Sequence, residues 1–446
     1  MRACRSTLAG ERTAPGAPAL LASQRFGPFF ATQFLSAFND SALKNALVLM
    51  IAYGAAGRAS AQLLIPLAGG LFILPFFLCS ATAGQITDQT DKAALARLIK
   101  LVEIPVMLAA AAGVLAGNAG LLLALLLAMG IEAAFFGPLK YAILLDLLAP
   151  EELVLGNALV EAGTFLAILL GTIAGMLIAA RHGAAAVAVL LVAVSCAAWV
   201  ASLFVLAVTP AAARRRARWN LAAATAEILR ETARDKLPFR AMLGISWFWL
   251  AGATYLSQFP AYVRFTLGAR EGVVTLFLIV FSVGIALGSL LCSRILRGRL
   301  SARIIPWGAL GIGLCSVDLW LASPRPSDAA LVGFAAFLTD PAHWRILLDL
   351  LGISLAGGVF IVPLYTLLQI TSAPERRARV IAANNVVNAG AMALSAILTM
   401  ALLAAGLSVA GLFLLTGTAT LFVALLFRLA LPGFSTAPAL VAGDRA

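Results

Sequence analysis

The sequence predicts an all-α integral membrane protein whose twelve transmembrane helices form two six-helix bundles. Composition, the spacing of apolar runs and an internal repeat lead to that class. Of 446 residues, 62% are hydrophobic and 12% charged, whereas soluble domains carry about 25% charged residues. So few charges cannot cover a water-facing surface, which excludes a soluble enzyme, a nucleic-acid module and a disordered regulator. The formal net charge of +12 points instead to the cytoplasmic face of a membrane.

A helix needs about 20 apolar residues to cross a bilayer. Breaks at Gly, Pro and charge clusters give candidate spans over 27–56, 61–83, 96–117, 119–144, 155–180, 185–208, 241–265, 272–296, 304–322, 346–370, 380–404 and 407–430. The expected domains are a cytoplasmic tail (1–25), an N-terminal bundle (26–208), a cytoplasmic linker (209–240), a C-terminal bundle (241–431) and a second tail (432–446). Residues 1–25 are too polar for a signal-peptide core, and the first apolar run carries Asp40 and Lys44, so it reads as a permanent span. The stretch 326–340 is short and holds Asp328 and Asp340; it reads as an external loop or a re-entrant segment.

Basic residues set the orientation. They gather at the tails, at Lys92, Arg97 and Lys100, in the linker, and after spans eight and ten, which places both termini in the cytoplasm. The linker opens with three arginines, 214–216, and continues as a polar stretch, Trp219–Ala233, with Leu221, Ile228 and Leu229. It reads as a helix resting on anionic headgroups or as a docking point for a cytoplasmic partner.

The two halves echo each other. Residues 137–163 resemble 362–390: Pro138 answers Pro363, Ala149–Pro150–Glu151 answers Ala373–Pro374–Glu375, and Asn157 with Glu161–Ala162–Gly163 answers Asn384 with Asn388–Ala389–Gly390. These matches fall on spans 4–5 and 10–11, the same place in each set of six. That is the pattern of a parallel repeat.

Span one carries Asn39, Asp40 and Lys44. Asp40 and Lys44 are four apart, on one helical face. A charge near the middle of a span costs at least ~2.5–3.5 kcal/mol on insertion scales. Two readings stand: a self-neutralised structural pair, or residues lining a transport cavity. Span four ends in Glu132, Pro138 and Lys140, and span five carries Asn157 and Glu161; Lys140 and Glu161 read as a gate pair or as substrate contacts. After span two, Gly84 precedes Asp88 by four residues, with Asp91 and Lys92 following. This is an ordinary polar turn, or a gate in which Gly lets two helices approach and the acid meets a neighbouring helix end. Span seven holds Trp247, Phe248, Trp249, Tyr255, Phe259 and Tyr262, either an interfacial belt or a wall for an acyl chain.

No P-loop, HxxxxD or GxSxG pattern appears, so the chain reads as neither an ATP-driven pump nor an acyltransferase or hydrolase. The five cysteines are scattered and the two histidines isolated, so no metal or cofactor is expected.

The blocks QFLSAFNDSALKNALVLM, GQITD, FFGPLKYAIL, GNALVEAGTFLAILLG and GGVFIVPLYTLLQ resemble the bacterial lysophospholipid transporter group of the major facilitator superfamily. They also resemble the transporter portion of fusions with acyl-ACP synthetase and acyltransferase domains. The resemblance spans most of 27–430. It implies a major facilitator fold that moves lysophospholipids, such as lysophosphatidylethanolamine, across the bacterial inner membrane, with a cytoplasmic acyltransferase or acyl-ACP synthetase as partner. It also implies a buried Arg in span seven and a buried acid in span eleven, where this sequence has Leu256 and Asn388. The expected substrate-binding residues are Asp40, Lys44, Asn39, Glu161, Asn384 and Asn388, and the gate residues Gly84, Asp88, Lys92 and Lys140. A proton-coupled exporter of amphipathic compounds, with Asp40 or Glu161 as the proton site, and a non-transporting scaffold are the competing classes.

Overall fold

The computed structural model describes residues 16–53, 58–208, 221–324 and 331–430. Residues 1–15 of the expected N-terminal tail, the expected C-terminal tail, the arginine run at 214–216 and Trp219 lie outside these residues. Helices α1 (Gly27–Tyr53), α2 (Arg58–Gln89), α3 (Lys92–Leu115), α4 (Ala119–Ala142) and α5 (Leu153–Leu203) come first. A shorter helix, α6 (Leu221–Arg234), connects them to α7 (Lys236–Ala261), α8 (Glu271–Leu296), α9 (Ile305–Ala322), α10 (Pro341–Thr371), α11 (Arg377–Ala404) and α12 (Val409–Ala430). Among the described residues the sole β feature is one bridge, Ala269 to Val332.

Local chemistry sets the helix ends. The side chains of Asp91, Asn118 and Asp340 accept from Ala93, Leu121 and Ala342 backbone N–H groups at 2.9–3.0 Å, capping α3, α4 and α10. Gly183, at φ 74° and ψ −173°, breaks α5 into arms 153–182 and 184–203, which are the expected fifth and sixth spans. Many large apolar side chains point outward, including Leu98, Leu108, Leu348 and Phe422. Helices apolar on every side suit a hydrocarbon solvent. Nine helical units among the described residues are long and apolar enough to cross a membrane, residues 150–203 counting as one. The helix α1 is not in that set, because Asn39, Asp40, Lys44 and Asn45 interrupt its apolar run.

The α1–α5 helices pack chiefly on one another, as do α7–α12. Gly171 and Gly175 of α5 lie against the backbone of Phe38 and Ala42, so α1 and α5 touch closely along their length. The repeat is visible in the backbone. Pro150–Glu152 and Pro374–Arg376 each form a single 3-10 turn leading into α5 and α11. Across the halves, Gly84 of α2 meets the start of α11, and Gly298 after α8 meets Glu151 before α5.

Three expectations need correction. The segment after the second span is not a loop at Gly84 and Asp88. The α2 helix runs on to Gln89, because the stop comes only where Asp91 caps α3, so Gly84 and Asp88 share one helical face. Lys100 is not a water-facing residue. It lies in the third turn of α3 and is fully buried. The linker helix does more than rest on headgroups: Ala224, Ile228 and Thr232 are buried against α2, α7 and α11. Beyond the far end, 331–340 is a connection with a short helix, Phe334–Thr339, whose Phe337 is buried.

Candidate functional site

Where α6 lies, the two halves are joined by a set of cross-bundle contacts. Asp88 accepts from the backbone N–H groups of Ala378 (2.8 Å) and Arg379 (3.2 Å), at the N-terminus of α11, and pairs with the Arg379 guanidinium at 3.4 Å. A carboxylate on exposed helix N–H groups meets both unsatisfied donors and the positive end of the helix dipole. A Cβ on Gly84 would sit 2.7 Å from Ala382 Cβ and 2.9 Å from Ala378 O, so only glycine permits this approach. Arg379 also reaches Glu231 at 3.6 Å, and Arg376 reaches Asp235 at 2.7 Å, tying α6 to the start of α11. Lys92 pairs with Asp146 at 2.9 Å.

One layer deeper, Asn157 of α5 and Gln369 of α10 exchange amide hydrogen bonds at 2.6 and 3.0 Å, and Gln369 also donates to Tyr141 O at 3.0 Å. The Tyr141 and Tyr365 rings stack at 4.1 Å across the halves. The Tyr141 hydroxyl donates to Glu161, and Asn384 is fully buried beside Tyr365. The expected Lys140–Glu161 ion pair is not made. Lys140 donates to Thr164 at 3.3 Å and sits over the Tyr141 ring at 4.7 Å, while Glu161 takes the Tyr141 hydroxyl on one oxygen and keeps Oε2 buried without a partner. Lys140 thus stands apart from Gly84, Asp88 and Lys92.

The third layer lies within α1–α5. Lys100 donates to Ser36 (2.5 Å), Glu103 (2.9 Å) and Glu132 (2.5 Å). Asn39 donates to Glu103 at 3.0 Å and to Leu191 O at 3.2 Å. Asp40 lies within electrostatic reach of Glu132, Glu103, Lys100 and Lys44. The expected contact between Asp40 and Lys44 is absent. Both are half-buried, and Asp40 Oδ1 is buried without a hydrogen-bond partner. Three helices, not one, set the field at Asp40, which is why the i,i+4 rule on α1 alone misplaces its company.

The other half places a neutral polar pair between α7 and α11, and its buried acid, Asp349 of α10, lies by Asp318 and Arg345. Asn388 accepts from Ser246 at 2.8 Å, and Leu256 is packed among apolar residues. The aromatics of α7 form no interfacial belt: Phe248 and Trp249 pack on Phe165 across the halves, while the Tyr255 and Tyr262 hydroxyls pair with Ser316 and Ser323 inside. Indole and phenol groups buried in this way find internal partners instead of headgroups.

Lys100, Glu103, Gln369 and Arg379 are the residues that sequence reasoning left out. Lys100 and Glu103 had a signal, two charges three apart inside an apolar run. Among the described residues, no group of three His, Cys, Asp or Glu side chains could hold a metal ion.

Comparison with known proteins places this geometry. A family model described as Major Facilitator Superfamily matches residues 29–396. The lysophospholipid transporter LplT of Enterobacter sp. (strain 638) is 30% identical over 362 residues, covering 80% of this chain and 82% of that protein. LplT of Serratia proteamaculans (strain 568) is 30% identical over 341 residues, covering 76% and 78%. The solved E. coli fucose:proton symporter FucP superposes with a TM-score of 0.68 at 12% identity, over 91% of this chain and 98% of that one.

Proposed function

From its place in the major facilitator superfamily, to which the chain belongs as a transporter and not an enzyme, we propose that it moves lysophospholipids across the bacterial inner membrane by alternating access. Counting α1, α7 and both arms of α5, the reading has twelve spans, with both termini and α6 cytoplasmic. The observation that carries the substrate class is the division of labour between the halves. Lys44, Lys100 and Lys140 stand with Asp40, Glu103, Glu132 and Glu161 inside α1–α5, opposite neutral Ser246 and Asn388 and the rings of Phe248 and Trp249. Lys44 and Asp40 suit the phosphate and ammonium of a zwitterionic head, and the apolar, aromatic side suits its single tail. Asn384 and Glu161 line the path between this level and the gate.

The chemistry needed is binding and release, with no bond made or broken. In the arrangement described, Asp88 on the α11 N-terminus, the Asn157–Gln369 exchange and the stacked tyrosines close the α6 end. Opening requires all three to part, and each donor and acceptor then gains water. Fluorescent lysophosphatidylethanolamine in proteoliposomes tests the function. Movement without an imposed gradient supports it, strict dependence on a pH gradient favours the proton-coupled exporter, and no movement favours the scaffold.

Two further outcomes are expected. Asp88→Asn keeps the side chain but loses the carboxylate that the α11 dipole and Arg379 favour. An anion at a helix N-terminus contributes ~0.3–1 kcal/mol when exposed and up to ~2 kcal/mol when partly buried, so transport should slow several-fold while equilibrium lysolipid binding stays close to that of the parent. Loss of binding in the folded variant would make Asp88 a ligand. For orientation, Arg230 and Ala335 are exposed positions on α6 and on the short helix before α10. In a Cys-free background, an impermeant thiol reagent outside intact cells should label Ala335→Cys and spare Arg230→Cys. The reverse pattern would invert the topology.

A further inference from the structure

We infer that the turn between α8 and α9 is a binding surface for the phosphate of an anionic phospholipid in the cytoplasmic leaflet. The inference rests on the orientation that places α6 in the cytoplasm, and not on the transported substrate. Arg294, Arg297, Arg299 and Arg303 are all exposed on this turn. The basic residues between α2 and α3 and at the start of α11 are spoken for. Lys92 pairs with Asp146, Arg376 with Asp235, and Arg379 with Asp88 and Glu231, while Arg377 donates to Gln369 O. At the α8–α9 turn no acid answers. The sequence holds no Asp or Glu between Glu271 and Asp318. Among the described residues, none of the four guanidiniums takes part in an ion pair.

The backbone fixes the turn and leaves its charges outside. Arg297 ends α8 at φ 46° and ψ 46°, and among the described residues it is the only non-glycine with a positive φ. Glycine is the usual left-handed residue at a helix end, because L side chains avoid that conformation; exceptions collect at functional positions. Gly298 follows at φ 76°, and a Cβ there would lie 2.6 Å from Glu151 O, so the turn is pressed against the start of α5. Leu296, Leu300 and Ala302 are buried beneath it. Leu291 and Ile295 before the turn and Trp307 after it are exposed, which sets the arginines at headgroup level with an indole at the boundary. A guanidinium fork matches phosphate oxygens, and four or more Lys or Arg beside a span attract anionic lipid. An ethanolamine or choline lipid brings a cation for which the turn has no acid. A glycerol headgroup brings the phosphate charge alone, so charge selects the anionic lipid. Seated here, it bears on the Gly298–Glu151 contact between the two halves.

The test is thermal unfolding of the purified protein in a neutral detergent, titrated with dioctanoyl phosphatidylglycerol, dioctanoyl phosphatidylcholine or inorganic phosphate. The parent is compared with the triple variant Arg297→Gln, Arg299→Gln, Arg303→Gln and with its charge-keeping counterpart Arg297→Lys, Arg299→Lys, Arg303→Lys. A third variant, Arg230→Gln, Arg234→Gln, Lys236→Gln, removes the same charge from exposed positions on α6 and α7. Phosphatidylglycerol should raise the parent's Tm saturably, with little effect from the other two additives. The glutamine variant of the turn should need about tenfold more lipid or beyond for the same rise, since each basic residue at a charged surface contributes on the order of a fivefold factor. The lysine variant and the α6–α7 variant should respond much as the parent does. A turn variant with the parental response would overturn the inference, as would an equal loss in the α6–α7 variant, which would mean attraction to net charge alone. Equal stabilisation by inorganic phosphate would assign the turn to a soluble anion and overturn the lipid. Lysolipid movement plays no part in the readout, so failure of the transport reading would leave this result standing.

Discussion

Lys100→Gln is expected to be the most damaging single substitution in the protein. The ammonium it removes is fully buried and is the hydrogen-bond donor to Glu103 and Glu132 as well as to Ser36. Without it, two carboxylates and the nearby Asp40 lie in a low-dielectric interior with no adjoining cation but Lys44. Breaking a buried ion pair by removing one partner costs about 3–5 kcal/mol, whereas replacing all members by well-packed apolar groups of similar volume is often neutral. The single variant should therefore melt far below the parent in detergent, or fail to accumulate in the membrane. The triple variant Lys100→Gln, Glu103→Gln, Glu132→Gln leaves no uncompensated charge among these three and should recover part of that stability. A single variant as stable as the parent would mean that Lys100 does not neutralise these acids.

How much of this was legible in the sequence varies with range. Helix positions follow from apolar runs of spanning length, and the repeat follows from residues such as Pro138 and Pro363 that fall within equivalent helices, α4 and α10. Even the 3-10 turns at Pro150 and Pro374 descend from matching Ala–Pro–Glu strings. The gate geometry was half legible. A Gly four residues before an Asp indicates a close approach next to an acid, but not that the acid meets backbone N–H groups 290 residues away. Partners within the membrane were the hidden part. Lys100 follows Lys92 and Arg97 so closely that charge patterning assigns it to the surface. Its burial depends on Ser36 and Glu132, 64 and 32 residues distant. Likewise the partnership of Asn157 with Gln369 is hidden until two bundles set them face to face. Asp40 and Lys44 show the converse error: local spacing permits a pair, and the two side chains do not meet in one.

The central claim is that the headgroup is engaged at Asp40 and Lys44 on α1. The measurement that tests it most directly is gradient-free lysophosphatidylethanolamine translocation by the Asp40→Asn, Lys44→Gln double variant in proteoliposomes, alongside its thermal stability. Removing both charges together leaves the local sum unchanged, so the protein should fold and insert like the parent. If the two residues hold the ammonium and phosphate, the stable double variant moves no lysolipid. If it moves lysolipid at the parental rate, the charges serve only the fold, and the headgroup site lies elsewhere.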